Sequence, residues 1–483
     1  MVKKVALVLS GGVSLGSYIA GALDELLTAF AAAPDQYQID IITGASAGAT
    51  SAALIAHGLL YRGGQTELRP AWVDKVDITD LLAPDIPRGE PLSLLNSRRI
   101  REVARESLAW DSAAPLRRAP FCASRLTVGM TLTNMTALPY ASHVAQPSAH
   151  GPELYVQSRN AEQETFVLTT THDPLHPVWD RLATVARASA AIPLVFPLVQ
   201  LERQAEDPAQ YPQPPGFAGK RRFWYCDGGA FNNLPVDLAW HYMCAAAGTD
   251  QEERVLQDRV VVVVNPWRPN LKLPAPTLAY PTLLEQAAGL LGAMLNESSA
   301  RAFQGEVVPR MPPPALAGAE RGIPGLDAPP AAVLGRFALV MPAAVDARLR
   351  GNHLHALGAF LDRRFREYDF RRGAADARLV ARATLGIRYP ERPAHFYEPD
   401  SDPRLHCDLT GYAALGEIPS SNLRYAHRSV RQVFEAALDR RIDALLAAWD
   451  LPLPGLVEAP LDNAVKPLIK TYLRAQLPAA WDL

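Results

Sequence analysis

The sequence predicts an α/β protein: a three-layer α/β/α domain around a mostly parallel central sheet, followed by a helical C-terminal region. Three observations predict this class. The chain opens with two strand–turn–helix units, five further apolar strand candidates follow before residue 345, and the pattern becomes helical from about residue 346. A length of 483 residues allows one large domain with an appendage, or two domains.

The two opening units account for the parallel sheet. Residues 5–9 are a continuous apolar run that stops at a glycine pair, and residues 16–30 carry apolar side chains at helical spacing. The pattern then repeats, with a strand over 39–42, a tight turn of small residues over 43–48 and a helix over 49–60. Consecutive units of this kind are typical of a doubly wound sheet.

The remaining elements define the predicted domains. Later strand candidates are residues 126–132, 166–169, 223–226, 260–264 and 337–341. Proline is concentrated in two stretches, which we interpret as insertions at about 201–222 and 309–330, because proline lacks the amide donor that a strand or helix interior needs. We therefore predict a three-layer α/β domain over 1–345 and a helical region over 346–483, with helices near 352–371, 424–449 and 462–476.

Composition excludes several classes of function. Hydrophobic residues make up 48% and charged residues 20%, the balance of a globular protein. A net charge of −2 provides no general basic field, so we expect no nucleic-acid partner. The four cysteines are far apart and form no CxxC pair, which argues against a disulfide scaffold and a zinc site. We expect no metal and no cofactor.

The same composition bears on location. The apolar run at the N-terminus is five residues long, shorter than a secretory signal needs, and no run approaches a membrane span. We expect a cytoplasmic protein whose only membrane relation is peripheral contact with lipid.

Three glycine-containing motifs carry the candidate chemistry. Gly44, Ser46 and Gly48 form a G-x-S-x-G between a strand and a helix, a context that exposes the serine oxygen on a strained turn. By its letters alone, this motif also fits a simple turn that caps a helix. The helix behind it offers unpaired amides to a developing oxyanion.

Each of the other two motifs fits either a ligand site or a plain turn. Residues 10–16 read SGGVSLG between the first strand and its helix, so small residues bring backbone amides close to a ligand. The lysine of a Walker loop and the spacing of a dinucleotide fingerprint are both missing. The third motif is Asp227, Gly228 and Gly229 at the end of a strand, where the aspartate either acts on a ligand or stabilises its own turn.

Taken together and in this order, the three motifs resemble the patatin-like phospholipases. Residues 188–193 (ASAAIP), Phe196-Pro197 and residues 233–235 (NLP) agree with the resemblance, which covers about residues 5–265. More weakly, residues 365–376 resemble the C-terminal region of a bacterial patatin-related subgroup.

The resemblance implies a Ser–Asp dyad without histidine and hydrolysis of acyl esters. Ser46 would attack the ester carbonyl, Asp227 would take its proton, and amides of Gly11, Gly12 and Val13 would hold the oxyanion. The implied substrate is a phospholipid or another acyl lipid. The chain departs from the family's turn at Val13, where a third glycine is usual, and at Leu15, where a basic residue is usual.

A base that works near neutrality needs a carboxyl whose pKa lies above its usual value of about 3.9. The neighbouring Trp224, Tyr225 and Phe231 could provide the dry surroundings that raise it. His57 lies eleven residues into the helix from Ser46, roughly 16 Å along its axis, and cannot reach it.

Two alternatives stay open at this point. One is an α/β-hydrolase esterase with a Ser-His-Asp triad, although its serine normally follows several strands. The other is a catalytically silent lipid-binding protein, which the altered turn at Val13 and Leu15 favours.

Overall fold

An eight-stranded sheet lies at the centre of the computed structural model, which describes residues 2–148, 151–169, 171–211, 215–267, 283–302, 336–342, 349–407, 409, 411–448, 471 and 477. The strands lie in the order β5-β6-β3-β2-β1-β7-β8, and β4 pairs with β3 outside this path. They are β1 (Lys3–Leu9), β2 (Tyr37–Gly44), β3 (Cys122–Ser148), β4 (Gly151–Thr169), β5 (Val199–Gln204), β6 (Lys220–Asp227), β7 (Arg259–Val264) and β8 (Phe337–Val340).

The sheet is mostly parallel. β1 pairs in parallel with β2 and β7, β2 with β3, and β7 with β8, whereas the β3–β4, β3–β6 and β5–β6 pairs are antiparallel. The central strands β1 and β7 are buried on both faces, which explains why their sequences are continuous apolar runs. The predicted sheet is therefore confirmed.

Helices cover both faces of this sheet, as the predicted three layers require. One core packs α1, α2, α5 and α11 against the sheet, and a second packs α7 and α8 against the opposite face. The helices are α1 (Gly16–Ala32), α2 (Ala47–Tyr61), α3 (Ile78–Leu81), α4 (Arg98–Leu108), α5 (Val178–Ser189), α6 (Gly229–Asn232), α7 (Val236–Ala247), α8 (Glu252–Leu256), α9 (Leu283–Ala302), α10 (His353–Ala356), α11 (Arg363–Ala383) and α12 (Val430–Ala448).

Helix α11, from the C-terminal region, packs directly on α1. Their backbones approach closely at Gly21 and Gly373, since a Cβ atom at Gly21 would overlap the carbonyl oxygen of Phe370 and one at Gly373 would overlap that of Tyr18. Tyr18 also donates a hydrogen bond from its hydroxyl to Asp376 Oδ2 at 2.9 Å. The C-terminal helices and the first unit of the sheet thus share one core.

The structure corrects several element bounds. Residues 126–132 and 166–169 belong to a much longer antiparallel hairpin, β3 with β4. Strand β5 was not predicted, because its alternating polar residues and nearby prolines suggested an insertion; only residues 205–219 connect β5 to β6. In the C-terminal region, α11 begins at 363 and ends at 383, so the helix expected over 352–371 is displaced.

The helix predicted over 424–449 corresponds to α12, which begins at 430 and ends at 448. Other predicted segments are not tested. The proline-rich stretch at 309–330 and nearly all of the helix at 462–476 lie outside the described residues. The domain division at residue 345 stays a prediction.

Candidate active site

Ser46 lies on the sharp turn that joins β2 to α2. Its φ of 51° is in the left-handed region, which is strained for a residue with a side chain and recurs where function requires it. The flanking glycines permit this turn. A Cβ atom at Gly48 would overlap the carbonyl oxygen of Leu9, and one at Gly44 would come within 2.6 Å of the Gly48 backbone.

Asp227 lies at the end of β6, next to this turn. Strand β3 sets the distance between the two, because it pairs Met130 with Gly44 on one side and Leu132 with Asp227 on the other. As a result, Ser46 Oγ donates a hydrogen bond of 2.6 Å to Asp227 Oδ2 across 181 residues of sequence. The structure thus brings the two predicted dyad residues into contact.

Burial changes the acidity of Asp227. Its side chain is almost completely buried, with 2% of the residue's surface exposed. The removal of water raises the pKa of the carboxyl to about 7, although the hydrogen bonds from Ser46 and from the Gly229 amide (2.7 Å) act in the opposite direction. This carboxyl can therefore exchange a proton near neutral pH.

The turn after Asp227 is also tightly packed. Gly228 lies against β3 so closely that a Cβ atom would overlap the carbonyl oxygen of Thr131, and the Gly229 amide binds Asp227 Oδ1. A larger residue at 228 would push the aspartate away from the sheet. Both glycines predicted to support this motif thus position its carboxylate.

Residues 189–191 hold the backbone of both Ser46 and Asp227 in place. Ser189 Oγ accepts a hydrogen bond of 2.9 Å from the Ser46 amide, and its carbonyl accepts one of 3.0 Å from Gly228. The Ala191 carbonyl accepts one of 2.9 Å from the amide of Asp227. Sequence reasoning noted this stretch as part of the resemblance and gave it no role.

Of the three aromatic residues expected to exclude water, only one is buried. Tyr225 is fully buried, but its hydroxyl binds Glu162 in another network; Trp224 and Phe231 are 38% and 48% exposed. The expectation for Trp224 and Phe231 was wrong. Trp224 and Phe231 are close to Asp227 in sequence, but the sequence does not show whether their side chains face the interior or the solvent.

The glycine-rich turn lies on the other side of Ser46. An added Cβ at Gly11 would come within 3.1 Å of Ser46 Cβ. The Gly11 amide already donates to the carbonyl of Asn233 at 3.0 Å. In the described part of the chain, the Gly12 and Val13 amides have no acceptor, so these two of the three predicted amides can donate to a ligand.

The backbone conformation of Val13 explains why a glycine is usual at its position. Its φ of 52° lies in the left-handed region, which costs a β-branched residue about 1–2 kcal/mol relative to its ordinary conformation. The C-terminal region supports this turn, because Ser14 Oγ accepts a hydrogen bond of 3.2 Å from the Ala359 amide. Leu15 is fully buried, so position 15 presents no charge to the site.

A narrow apolar cavity of about 100 Å³ leads away from Ser46. Its walls come from α2, α4, α5 and the C-terminal region, which contributes Phe360. Most of the lining side chains are aliphatic or aromatic, which suits a hydrocarbon chain. They include Val13, Leu54, Trp72, Val76, Ile100, Val103, Leu108, Ile192, Phe196 and Phe360.

No histidine among the described residues hydrogen-bonds to Ser46 or Asp227. His57 lies instead in an aromatic cluster, with ring centroids 5.1 Å from Tyr61 and 5.0 Å from Trp179. Burial and then Arg62 lower its pKa to about 4.

The cysteines and acidic groups do not form a metal site within the described ranges. No group of three or more His, Cys, Asp or Glu side chains there has the geometry to hold a metal ion. The four cysteines form no disulfide bond. None of the described helices has the length and apolar character that crossing a bilayer requires.

Comparison with known proteins identifies one family. Residues 7–240 match the profile described as patatin-like phospholipase. The chain is 27% identical over 206 residues to the uncharacterized membrane protein Rv3479 of Mycobacterium tuberculosis, covering 41% of this chain and 19% of that protein. It is 28% identical over 180 residues to the uncharacterized protein y4iI of Sinorhizobium fredii, covering 29% of this chain and 25% of that protein.

These matches span a quarter or less of each curated relative. Among solved structures, the crystal structure of VipD from Legionella pneumophila aligns with 98% of this chain and 88% of that one, at 11% identity and a TM-score of 0.29. A score this low does not establish a common fold.

Proposed function

Residues 7–240 form a domain of the patatin-like phospholipase family, and on this premise we propose that the protein is a serine hydrolase that cleaves fatty-acyl esters of lipids. The observation that carries the proposal is the 2.6 Å hydrogen bond from Ser46 Oγ to Asp227 Oδ2. A buried carboxyl whose pKa is about 7 is suited to take the proton of a serine hydroxyl at neutral pH.

In the proposed acylation step, Ser46 Oγ attacks the ester carbonyl while its proton passes to Asp227. The amides of Gly12 and Val13 stabilise the oxyanion of the tetrahedral intermediate, aided by the N-terminus of α2. Collapse of the intermediate breaks the bond to the leaving alcohol, which takes the proton back from Asp227. The acyl group stays on Ser46.

Deacylation repeats these steps with water in place of the serine. Asp227 takes a proton from the attacking water, the same amides hold the second oxyanion, and the fatty acid leaves as Ser46 regains its proton. The apolar cavity would hold the acyl chain throughout. The hydrogen bond from the Ser46 amide to Ser189 keeps the nucleophile's turn rigid.

A hydrolysis assay with a soluble ester tests the proposal. The wild type should hydrolyse p-nitrophenyl butyrate, and Ser46→Ala should reduce turnover to background. Ser93→Ala is the matched control, because Ser93 is also buried but its hydroxyl donates to the Leu95 carbonyl at 2.8 Å and it does not line the cavity. Turnover that survives in Ser46→Ala would contradict the proposal.

The same assay separates the two alternatives. A Ser-His-Asp triad would require one histidine whose replacement by alanine abolishes turnover, whereas the proposed dyad requires none. A catalytically silent lipid-binding protein would leave every ester intact in the wild type. The absence of a histidine partner of Ser46 within the described chain supports the dyad.

A further inference from the structure

A second, more polar pocket opens beside the acyl cavity. Its volume is about 510 Å³, and it lies between α4, the end of α5 and the start of β5. Four arginines and two glutamates line it, an excess of two positive charges. The apolar cavity, by contrast, has one charged side chain, Arg187, in its wall.

The pairing of the arginines is uneven. Arg98 is neutralised by Asp85 at 3.0 Å outside the pocket lining. Glu90 is shared, since it forms an ion pair with Arg101 and lies 3.8 Å from Arg187. For Arg105, which is exposed, no carboxylate of the described chain lies within ion-pair distance. Glu102, the other glutamate of the lining, pairs with Arg98 and Arg99 at 3.8 and 3.3 Å. Within ion-pair distance, Arg101, Arg105 and Arg187 therefore share one carboxylate of the described chain, that of Glu90.

The lowered pKa values of two of these arginines indicate that the cations repel one another. Burial, followed by the charges of Arg101 and Arg105, lowers the pKa of Arg187 to about 10. Burial and then Arg105 also lower the pKa of Arg101, although the charges of Glu102 and Asp85 act in the opposite direction. In addition, Arg187 Nε is buried and has no hydrogen-bond partner among the described residues. A bound anion would relieve the repulsion among the three guanidinium groups.

Arg187 links the pocket to the proposed nucleophile. It is on α5, two residues before the Ser189 that binds the Ser46 amide, and it lines both the pocket and the cavity that Ser46 opens into. One amphiphilic ligand can therefore place its hydrocarbon chain in the cavity, its ester at Ser46 and a polar group against Arg187.

We propose that Arg101, Arg105 and Arg187 form a subsite for the anionic phosphodiester head group of the substrate. The inference rests on the hydrolase function proposed above and adds that the enzyme prefers acyl esters with a net negative charge. Guanidinium groups suit phosphate because their planar forks donate paired hydrogen bonds. In this chain they would provide the charge that the buried Leu15 does not.

Short-chain phospholipids test the preference without the influence of a charged membrane surface. We compare kcat/KM for dihexanoyl phosphatidylglycerol and dihexanoyl phosphatidylcholine, both below the concentration at which they form micelles. The acyl chains are identical, so the ratio of the two values reports on the head group. The wild type should favour phosphatidylglycerol by about tenfold, the contribution of roughly one charge-assisted hydrogen bond.

Two substitutions should reduce this ratio. Arg187→Gln should lower it by about tenfold, and Arg105→Gln by about threefold, since Arg105 is more exposed. Arg187→Lys keeps the charge and should recover part of the preference, which a purely structural role would not predict. Arg254→Gln, an exposed arginine on α8 across the sheet, is the matched control and should leave the ratio unchanged.

The outcomes separate the two proposals. If the wild type hydrolyses both lipids at equal rates, or if Arg105→Gln and Arg187→Gln keep its ratio, the anionic subsite is wrong while the hydrolase stands. If the wild type hydrolyses neither lipid nor p-nitrophenyl butyrate, the hydrolase function itself fails.

A binding measurement extends the test beyond catalysis. Calorimetry of the Ser46→Ala protein with glycerophosphoglycerol, the head group without acyl chains, should show binding that Arg187→Gln in the same background weakens about tenfold. If inorganic phosphate binds as tightly, the pocket is a general anion site, and the proposed selectivity for the head group is overturned.

Discussion

Two buried aspartates, one at the end of a central-sheet strand and one on a C-terminal helix, show what separates a proposed catalytic carboxyl from a structural one. Asp227 follows β6, and Asp369 is on α11; both are almost completely buried, and burial raises the pKa of each to about 7. Their partners differ. Asp227 accepts from the Ser46 hydroxyl and one amide, whereas Asp369 accepts from the amides of Arg350 and Gly351 at 2.7 and 2.8 Å.

A raised pKa alone does not identify a catalytic base, because the carboxyl must also lie beside a group from which it can take a proton. No hydroxyl of the described chain donates a hydrogen bond to Asp369. Its two amide contacts anchor residues 350–351 next to the glycine-rich turn. At Gly351, an added Cβ would lie 2.6 Å from Leu15 Cδ2 and 3.1 Å from Ser14 Oγ. One aspartate faces the nucleophile, and the other supports the turn proposed to hold the oxyanion.

The largest difference is expected from the same substitution at both positions. Asp227→Asn should lower kcat/KM for p-nitrophenyl butyrate by about a thousandfold or more, because an amide cannot take the serine proton. Asp369→Asn should change it by less than about threefold. Steady-state kinetics at pH 8 with circular dichroism of both variants checks this. Equal losses in two folded variants would remove the distinction.

The pH dependence of hydrolysis should follow Asp227 alone. Only the ionised carboxylate can accept a proton, so kcat/KM should rise through a pKa of about 7 and should be about a hundredfold below its plateau at pH 5. Asp369→Asn should leave the midpoint of this profile in place. If the midpoint shifts in Asp369→Asn, the group that controls hydrolysis is Asp369 and the assignment to Asp227 is wrong.

A smaller effect should result from adding a methyl group where Gly351 packs against the glycine-rich turn. Gly351→Ala places a methyl group against Leu15 and Ser14, and the displaced turn should lower kcat about tenfold, because oxyanion donors act only at short range. Gly411→Ala is the control, since nothing lies within 4 Å of an added Cβ there. Unchanged kcat in a folded Gly351→Ala protein would show that the two regions are not coupled.

The smallest effect concerns stability and applies to both aspartates. Each has a folded pKa of about 7 against about 3.9 when unfolded, so the folded state binds more protons between these values and the free energy of unfolding falls as pH rises from about 4 to about 7. Each group contributes at most about 1.4 kcal/mol per pH unit.

Asp369→Asn should therefore flatten the dependence of stability on pH, as measured by urea denaturation at pH 5, 6 and 7. The surface substitution Asp250→Asn controls for the loss of one carboxyl and should keep the wild-type slope. A slope in Asp369→Asn as steep as that of the wild type would mean that this carboxyl is already ionised throughout the range.

The apolar pattern of the sequence was sufficient to predict the sheet, but the contact between Ser46 and Asp227 was predicted only through the resemblance. Continuous apolar runs mark strands that are covered on both faces, and each motif lies where a strand ends. Their spacing does not indicate which strands are neighbours. The resemblance supplied that pairing, and the register of β3 between β2 and β6 accounts for it physically.

Features that depend on packing between distant segments could not be predicted. Nothing in the local sequence of Asp369 or Phe360 reveals that they lie beneath the turn or in the wall of the cavity. Arg187 resembles any charged residue near a helix end until α4 places Arg101 and Arg105 beside it. Strand β5 was missed for a related reason, since its polar alternation is typical of a sheet edge as well as of an insertion.

The most direct test of the central claim is the rate at which a fluorophosphonate labels Ser46, followed by intact mass. The account predicts rapid labelling of the wild type and of Asp369→Asn, with a pH midpoint near 7, and labelling of Asp227→Asn that is slower by at least about a hundredfold. Labelling of Asp227→Asn at the wild-type rate would contradict it.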